Sequence, residues 1–399
     1  MKRVTHALEA ELARLEAAQL RRRRITAEAF VEPGSRALLR VRGRTLVDFS
    51  SNDYLGLARH PALTEAMRAS AAAAGAGSAA SHLVTGHGAE HQQLEEELAA
   101  FTGRERALLF STGYMANLAV LGALAGRGER LLLDRLSHAS LIDGARLSGA
   151  EVKRYPHADA AAAALLLAED PERTALIATD GVFSMDGDLA PLPELAPLAR
   201  RAGAWLVVDD AHGLGVVGAS GRGTLEEQGM GSEAVPVLIG TLGKAFGSFG
   251  AFVAGEAALI DFLVQKARTY IYTTALPQPV AAASRAALKL VQTEGWRRTH
   301  LAALIERFRR RALAAGVPLS ASRTPIQPVV LGSEAAVLGA QRALEAHGFC
   351  VVAIRPPSVP PGSARLRVTL TAAHTEAQVD QLGDALGQAC AQLAAAGAA

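Results

Sequence analysis

The residues best suited to chemistry are a lysine in a glycine-rich turn, Gly240-Thr241-Leu242-Gly243-Lys244, and the acid and imidazole of Asp209-Asp210-Ala211-His212. Both segments follow short apolar runs, and three other runs end the same way. Run 107–110 leads into Ser111-Thr112-Gly113-Tyr114, and run 130–133 into Asp134-Arg135-Leu136-Ser137-His138. Run 175–178 leads into Thr179-Asp180-Gly181-Val182-Phe183-Ser184. An isolated strand-end lysine is usually a salt-bridge partner. Aspartate, imidazoles and hydroxyls on neighbouring strand ends reverse that reading, because a Schiff-base lysine needs such an electrostatic setting. Asp209 beside a pyridine nitrogen would keep it protonated and make the ring an electron sink, with His138 available to cover the ring face. Asp209 could instead cap a following helix, but capping does not account for Asp209 and Lys244 together.

These side chains need a scaffold that delivers strand ends to one place. The runs 107–110, 130–133, 175–178, 205–208, 236–239 and 251–254 are short, continuous and apolar, as strands buried on both faces are. They alternate with helix-length segments, which predicts a doubly wound, mostly parallel sheet whose carboxyl edge binds the ligand. Ahead of them a hairpin is expected over 40–49, with Gly34 and Gly43 as punctuation. Past Tyr272 the texture changes. Pro277 and Pro279 break the chain, and long Ala/Leu/Arg helices run to about residue 315. A smaller set follows: a strand at 326–331, a helix at 335–347, strands at 350–354 and 365–370, and a last helix whose tail after Ala394 should fray. The expected organisation is α/β: an N-terminal helix and hairpin over 1–46, a large domain over 47–285, and a small α+β domain over 286–399.

Composition removes several function classes. The 399 residues suggest two or three units, and the balance of 41 basic against 39 acidic residues gives +2, so no strong field invites nucleic acid or membrane. Half the residues are hydrophobic and 20% charged, a globular rather than disordered composition. The two cysteines, Cys350 and Cys390, cannot form a disulfide framework, so a reducing, cytoplasmic setting is the default. The longest apolar runs, 118–126 and 160–168, stop well short of the roughly 20 residues of a membrane span. Glu9, Glu11 and Glu16 argue against an organelle transit peptide, while Leu8, Leu12 and Leu15 fall on one face of an amphipathic helix. Arg21, Arg22, Arg23 and Arg24 then read from spacing as a solvated helix end whose cations suit the dipole; a clamp for an anionic substrate is the other reading. Lys244 does not belong to a phosphate-binding P-loop, because its glycines are too close and Ala245 follows it. Gly75 and Gly77 lack a preceding strand and the rest of a dinucleotide fingerprint. His82, His87 and His91 have no convincing cysteine or carboxylate partner. They are expected as solvated histidines on a polar helix edge, with no metal.

Asp209-Asp210-Ala211-His212-Gly213 and Gly240-Thr-Leu-Gly-Lys244-Ala-Phe-Gly resemble the α-oxoamine synthases, pyridoxal-phosphate enzymes of the aspartate-aminotransferase fold (fold type I). The likeness extends to Phe49-Ser-Ser-Asn52-Asp-Tyr-Leu-Gly56, Asp134-Arg-Leu-Ser-His138-Ala-Ser, Val182-Phe-Ser184-Met-Asp-Gly-Asp188, Tyr270-Ile-Tyr-Thr-Thr-Ala-Leu-Pro277 and Ala353-Ile-Arg355-Pro-Pro. It covers nearly the whole chain. The resemblance implies pyridoxal 5'-phosphate as cofactor, with Lys244 as the Schiff-base lysine that later moves the Cα proton. It places Asp209 at the pyridinium nitrogen, His138 on the ring, and His212 with Ser184 near the phenolic oxygen. The N–H groups of Gly113 and Tyr114 would hold the phosphate at a helix start. Thr241 adds a hydroxyl, and Thr273 or Thr274 would reach in from a second copy in a homodimer. Arg355 resembles the clamp for the amino-acid carboxylate. Arg21 resembles a residue of the acyl-substrate site, with Arg22 the alternative within the arginine run. Asn52 and Ser358 join the substrate contacts; the family usually has Thr at the latter position. The implied reaction is decarboxylative condensation of L-alanine with an acyl thioester on coenzyme A or a carrier protein. The alternatives within the family use glycine: glycine C-acetyltransferase and 5-aminolevulinate synthase. Ser137-His138 and Ile354-Arg355-Pro356-Pro357 favour alanine. A nucleotide-dependent oxidoreductase would need the missing glycine fingerprint, and a non-catalytic carrier-protein binder would not need Asp209 and Lys244.

Overall fold

Two strands joined by a tight turn follow the first helix in the smaller of two units. β1 (Leu38–Val41) and β2 (Arg44–Asp48) pair antiparallel around Arg42 and Gly43, both at positive φ. The computed structural model describes residues 2–28 and 37–397; Gly34, expected to punctuate this hairpin, lies outside the described residues. One unit comprises Asn52–Ser184 and Asp188–Thr299, the other Met1–Ser51, Met185–Gly187 and His300–Ala399.

The larger unit is built on seven strands: β3 (Arg106–Phe110), β4 (Arg130–Asp134), β5 (Glu151–Tyr155), β6 (Thr174–Asp180), β7 (Trp205–Asp209), β8 (Val237–Thr241) and β9 (Ala251–Gly255). They lie in the order β3-β9-β8-β7-β6-β4-β5. Only β9 runs against its neighbours, so the carboxyl ends of the other six share one edge. The apolar runs are continuous because both faces are covered. Leu131, Leu133, Leu176, Ala178 and Val207 enter one apolar layer, while Leu132, Ile177, Leu206 and Val208 enter the other. Each fully buried leucine contributes about 2 kcal/mol to that packing. β5 was not legible as a strand. Its sequence Glu-Val-Lys-Arg-Tyr carries three charges, which the sheet tolerates because β5 is an edge strand paired only with β4.

The smaller unit adds β10 (Ile326–Gly332), β11 (Phe349–Cys350), β12 (Val352–Ile354) and β13 (Ala364–Thr369). β10, β13 and β12 form an antiparallel sheet, and β11 extends the hairpin by pairing in parallel with β2. The single strand expected over 350–354 is therefore two, since the chain changes sheets at Val351. The helix Glu376–Gly397 continues past Ala394 instead of fraying there, as alanine's helix propensity favours. Helix Lys2–Ala17 forms, but Leu8 and Leu12 on its apolar face are 61% and 42% exposed. It stops at Ala17, short of Arg21, so the arginine run is not a helix end. In the larger unit Pro277 and Pro279 do not simply break the chain. They open helix Gln278–Thr293, where a missing N–H costs nothing. No helix among the described residues is long and apolar enough to cross a membrane.

Candidate active site

Asp209 ends β7 in the middle of the sheet and is 6% exposed. One carboxylate oxygen accepts from the Ala211 N–H (3.1 Å), the other from Asn117 Nδ2 (2.6 Å). Asn117 Nδ2 also donates to Ser140 Oγ at 2.7 Å, and Ser140 Oγ lies 2.7 Å from His138 Nδ1. A buried polar chain thus runs from the aspartate to the imidazole through two residues that sequence reasoning did not single out. Asn117 did leave a signal, as the one amide in the otherwise apolar helix Gly113–Leu124.

His138 caps helix Ala139–Ser148, its Nδ1 accepting the Ser140 N–H. Its own N–H donates to Asp180 Oδ2 at 2.9 Å, which fixes the strand-to-helix turn of β4 against the end of β6. Burial, opposed by the nearby Asp209 charge, pushes the His138 imidazole down and favours its neutral form. Asp180 is fully buried. Desolvation and the Asp209 charge push its carboxyl up well above the ordinary aspartate range.

Lys244 is half-buried in the turn between β8 and β9. Thr241 shapes that turn: its hydroxyl donates to the Gly250 carbonyl (3.0 Å) and accepts the Gly243 N–H (3.3 Å). Lys244 stands three residues past the end of β8, the neighbour of β7 in the sheet, and its charge bears on His138, Asp180 and Asp210. His212 Nδ1 lies 2.6 Å from the hydroxyl of Tyr54, a fully buried residue that also donates to Asn52 Oδ1 at 3.2 Å. Asn52 therefore belongs with His212. Ser184 follows Phe183 in the loop after β6, where the Phe183 N–H donates to the Asp188 carbonyl. Gly113 and Tyr114 open their helix behind an N-cap from Thr112, and their N–H groups have no intrahelical acceptor. Thr273 and Thr274 lie elsewhere in this unit, on a segment that Thr274 bridges to Ser81.

Two of the motif glycines, Gly213 and Gly240, sit in tight packing. A Cβ at Gly213 would lie 2.1 Å from Asp210 Oδ1, and one at Gly240 would meet Leu214 and the Phe252 ring at 2.5 and 2.6 Å. Packing within the protein already demands these two glycines. Beside Gly113 nothing lies within 4 Å of a Cβ, so the helix start faces open space.

The substrate candidates Arg21, Arg355 and Ser358 lie together in the smaller unit, lining a cavity of about 900 Å³ with all four arginines of the run. Arg22, not Arg21, donates to Ser358 Oγ (3.0 Å); Arg21 pairs with Glu16 at 3.4 Å. Arg355 donates to the Gln19 carbonyl.

Of His82, His87 and His91, the first and last are buried rather than solvated, while His87 stays a quarter exposed. His82 is 9% exposed and His91 fully buried, and one ligand-capable atom from each lies within 4.8 Å of the others. His91 Nδ1 accepts the Gly88 N–H and Nε2 donates to the Leu276 carbonyl, so both nitrogens are engaged in holding helix Ala89–Thr102 to the segment before Gln278. His82 stacks on Tyr270, and burial pushes it down to about 3.

A buried carboxylate, a neutral imidazole, a lysine and an open helix start on one sheet edge fit an anionic pyridine aldehyde: acid for the ring nitrogen, amine for the aldehyde, N–H groups for the phosphate. A sequence model of the family "Aminotransferase class I and II" matches residues 44–386. A serine palmitoyltransferase variant of S. paucimobilis, solved with a bound PLP–myriocin aldimine, is 30% identical and superimposes with a TM-score of 0.91 over 98% of each chain. The chain belongs to the class I and II aminotransferases and, within them, to the α-oxoamine synthases, pyridoxal-phosphate enzymes of the aspartate-aminotransferase fold. Its similarity is narrower still. An 8-amino-7-oxononanoate synthase of Methylococcus capsulatus is 61% identical over 88% of this chain and 90% of that protein. Another from Cellvibrio japonicus is 58% identical over 87% of each.

Proposed function

We propose that this enzyme condenses L-alanine with a pimeloyl thioester, carried by coenzyme A or a carrier protein, to give 8-amino-7-oxononanoate, carbon dioxide and the free thiol in biotin synthesis. The observation that carries the reading is the Asp209, His138 and Lys244 edge in a chain 61% identical to a synthase of that name. Pyridoxal 5'-phosphate, when bound, supplies an electron sink for negative charge at the amino acid's Cα. Lys244 Nζ would hold the cofactor at its aldehyde carbon and, once the alanine amine stands there in its place, would take up the proton lost from Cα. Asp209, held by Asn117, keeps a proton on the ring nitrogen. His138 covers the ring face, and its low proton affinity preserves a neutral stacking surface. His212 and Ser184 hold the phenolic oxygen, with Tyr54 fixing the His212 ring. The N–H groups of Gly113 and Tyr114, with Thr241, hold the phosphate.

Arg355 binds the alanine carboxylate by its guanidinium fork. Arg21 or Arg22, with Ser358, receives the acyl donor, and Asn52 completes the substrate contacts. Thr273 or Thr274 is supplied by the second subunit of a homodimer. The low cysteine content supports a reducing, cytoplasmic setting.

The experiment offers glycine, alanine and serine with pimeloyl, acetyl and succinyl thioesters on both carriers, following thiol and carbon dioxide release. Alanine with a pimeloyl donor should turn over fastest, and Lys244→Ala should abolish turnover and borohydride fixation of the cofactor. A preference for glycine, or full activity in Lys244→Ala, would sink the reading.

A further inference from the structure

His157 lies on the loop after β5, and both of its ring nitrogens face carboxylates. Nδ1 is 3.2 Å from Asp134 Oδ1 and Nε2 is 2.8 Å from Asp188 Oδ2. Only an imidazolium can donate from both nitrogens at once. The His157 and Phe183 rings also meet at right angles, with centroids 4.3 Å apart at 89°.

Each carboxylate is tied to a different loop of the sheet edge. Asp134 ends β4 and is 1% exposed; besides His157 it accepts the N–H groups of Leu136 and Ala158, both at 2.7 Å. Its carbonyl accepts the Ser137 N–H, so Asp134 folds the three residues that deliver His138. Asp188 closes the loop after β6. Its carbonyl accepts the Phe183 N–H at 2.9 Å, and the next residue, Leu189, bridges to Val182. Ser184 leaves the sheet from that closure. His157 joins the two carboxylates and hence the two loops, adding to the bond from the His138 N–H to Asp180 at the end of β6.

We infer that His157 is a positioning residue: an imidazolium strap between Asp134 and Asp188 that sets the β4 loop carrying His138 against the β6 loop carrying Ser184. The inference rests on the proposal that His138 and Ser184 face the cofactor. Burial alone would push His157 down, but the hydrogen bonds and charges of Asp134 and Asp188 raise it to about 10, so the strap stays charged at neutral pH. The His157 ring nitrogens face Asp134 and Asp188, and its removal leaves Asp209 with its own partners, Asn117 and the Ala211 N–H. Its loss should therefore misplace His138 and Ser184 without removing the lysine.

The test compares wild type with His157→Gln, which retains an amide donor but no charge. The readouts are cofactor dissociation measured by absorbance titration, the visible circular dichroism of the bound cofactor, and thermal unfolding of the apoprotein. The expected result is a roughly tenfold rise in the cofactor dissociation constant and a changed dichroism band, with borohydride fixation on Lys244 intact. Unchanged affinity and dichroism overturn the inference, whatever happens to stability, because a purely structural histidine would alter only the unfolding. If His157→Gln does not fold, Asp188→Asn takes its place; the Asp188 side chain is 39% exposed, and its replacement leaves the Asp134 bonds untouched. That variant should weaken cofactor binding roughly threefold, and an unchanged band there overturns the inference equally. A wild-type protein with no cofactor band would instead refute the active-site reading.

Discussion

Replacing Asn117 by alanine tests the buried chain between Asp209 and His138. The amide nitrogen donates to the Asp209 carboxylate at 2.6 Å and to Ser140 Oγ at 2.7 Å, and the side chain is 1% exposed. A hydrogen bond to a charged acceptor contributes about 2 kcal/mol and a neutral one about 1 kcal/mol. The alanine variant should therefore lose about 3 kcal/mol, partly offset because Asn117 Oδ1 has no hydrogen-bond partner of its own. For a unit of this size that corresponds to a fall in midpoint of roughly 6–12 °C. Urea and thermal unfolding of the apoprotein measure the loss without the cofactor's own stabilisation. The double variant with Ser140→Ala should show a coupling of about 1 kcal/mol, because both replacements break the same bond. A loss below about 1 kcal/mol with no coupling would refute the view that Asn117 holds Asp209 in place.

Two further predictions concern the glycines and buried acids around the site. Gly223→Ala should fail to yield stable protein: its φ is +88° and the new Cβ would lie 1.9 Å from Asp210 Oδ2, which is itself bonded to the Thr224 N–H. Normal expression and an unchanged melting midpoint would show that the Asp210 cage can relax. Glu95, raised to about 7 by burial, keeps its proton in the folded protein while the unfolded chain releases it near 4.5. Its contribution is thus fully present below pH 4.5 and is lost as the pH rises through 7. Glu95→Gln can still accept the Leu109 N–H and should gain in urea midpoint relative to wild type between about pH 5 and 8. A difference that does not vary with pH over that range contradicts the assignment.

By itself the sequence determined the sheet and the identity of its chemical edge. Six of the seven large-unit strands are local apolar runs, and strands buried on both faces announce themselves without reference to their neighbours. Asp209, His138, Ser184 and Lys244 stand directly after such runs, so a parallel sheet brings them to one edge. The charged edge strand β5 escaped because burial on its outer side is not required.

Tertiary structure decided which side chains hold that edge in working order. Asn117 meets Asp209 across 92 residues, Tyr54 meets His212 across 158, and His157 joins two strand exits. No local pattern encodes those pairs, because they arise where helices and loops pack over the sheet. The same packing selected Arg22 over Arg21 as the partner of Ser358, a distinction invisible within four consecutive arginines. It also explained Gly213 and Gly240 by clashes with Asp210, Leu214 and Phe252, and buried His82 and His91, which a polar helix edge would have left in water. Residue type and spacing specify which chemistry is available; only the packed chain fixes the distances and desolvation that set each group's charge and aim.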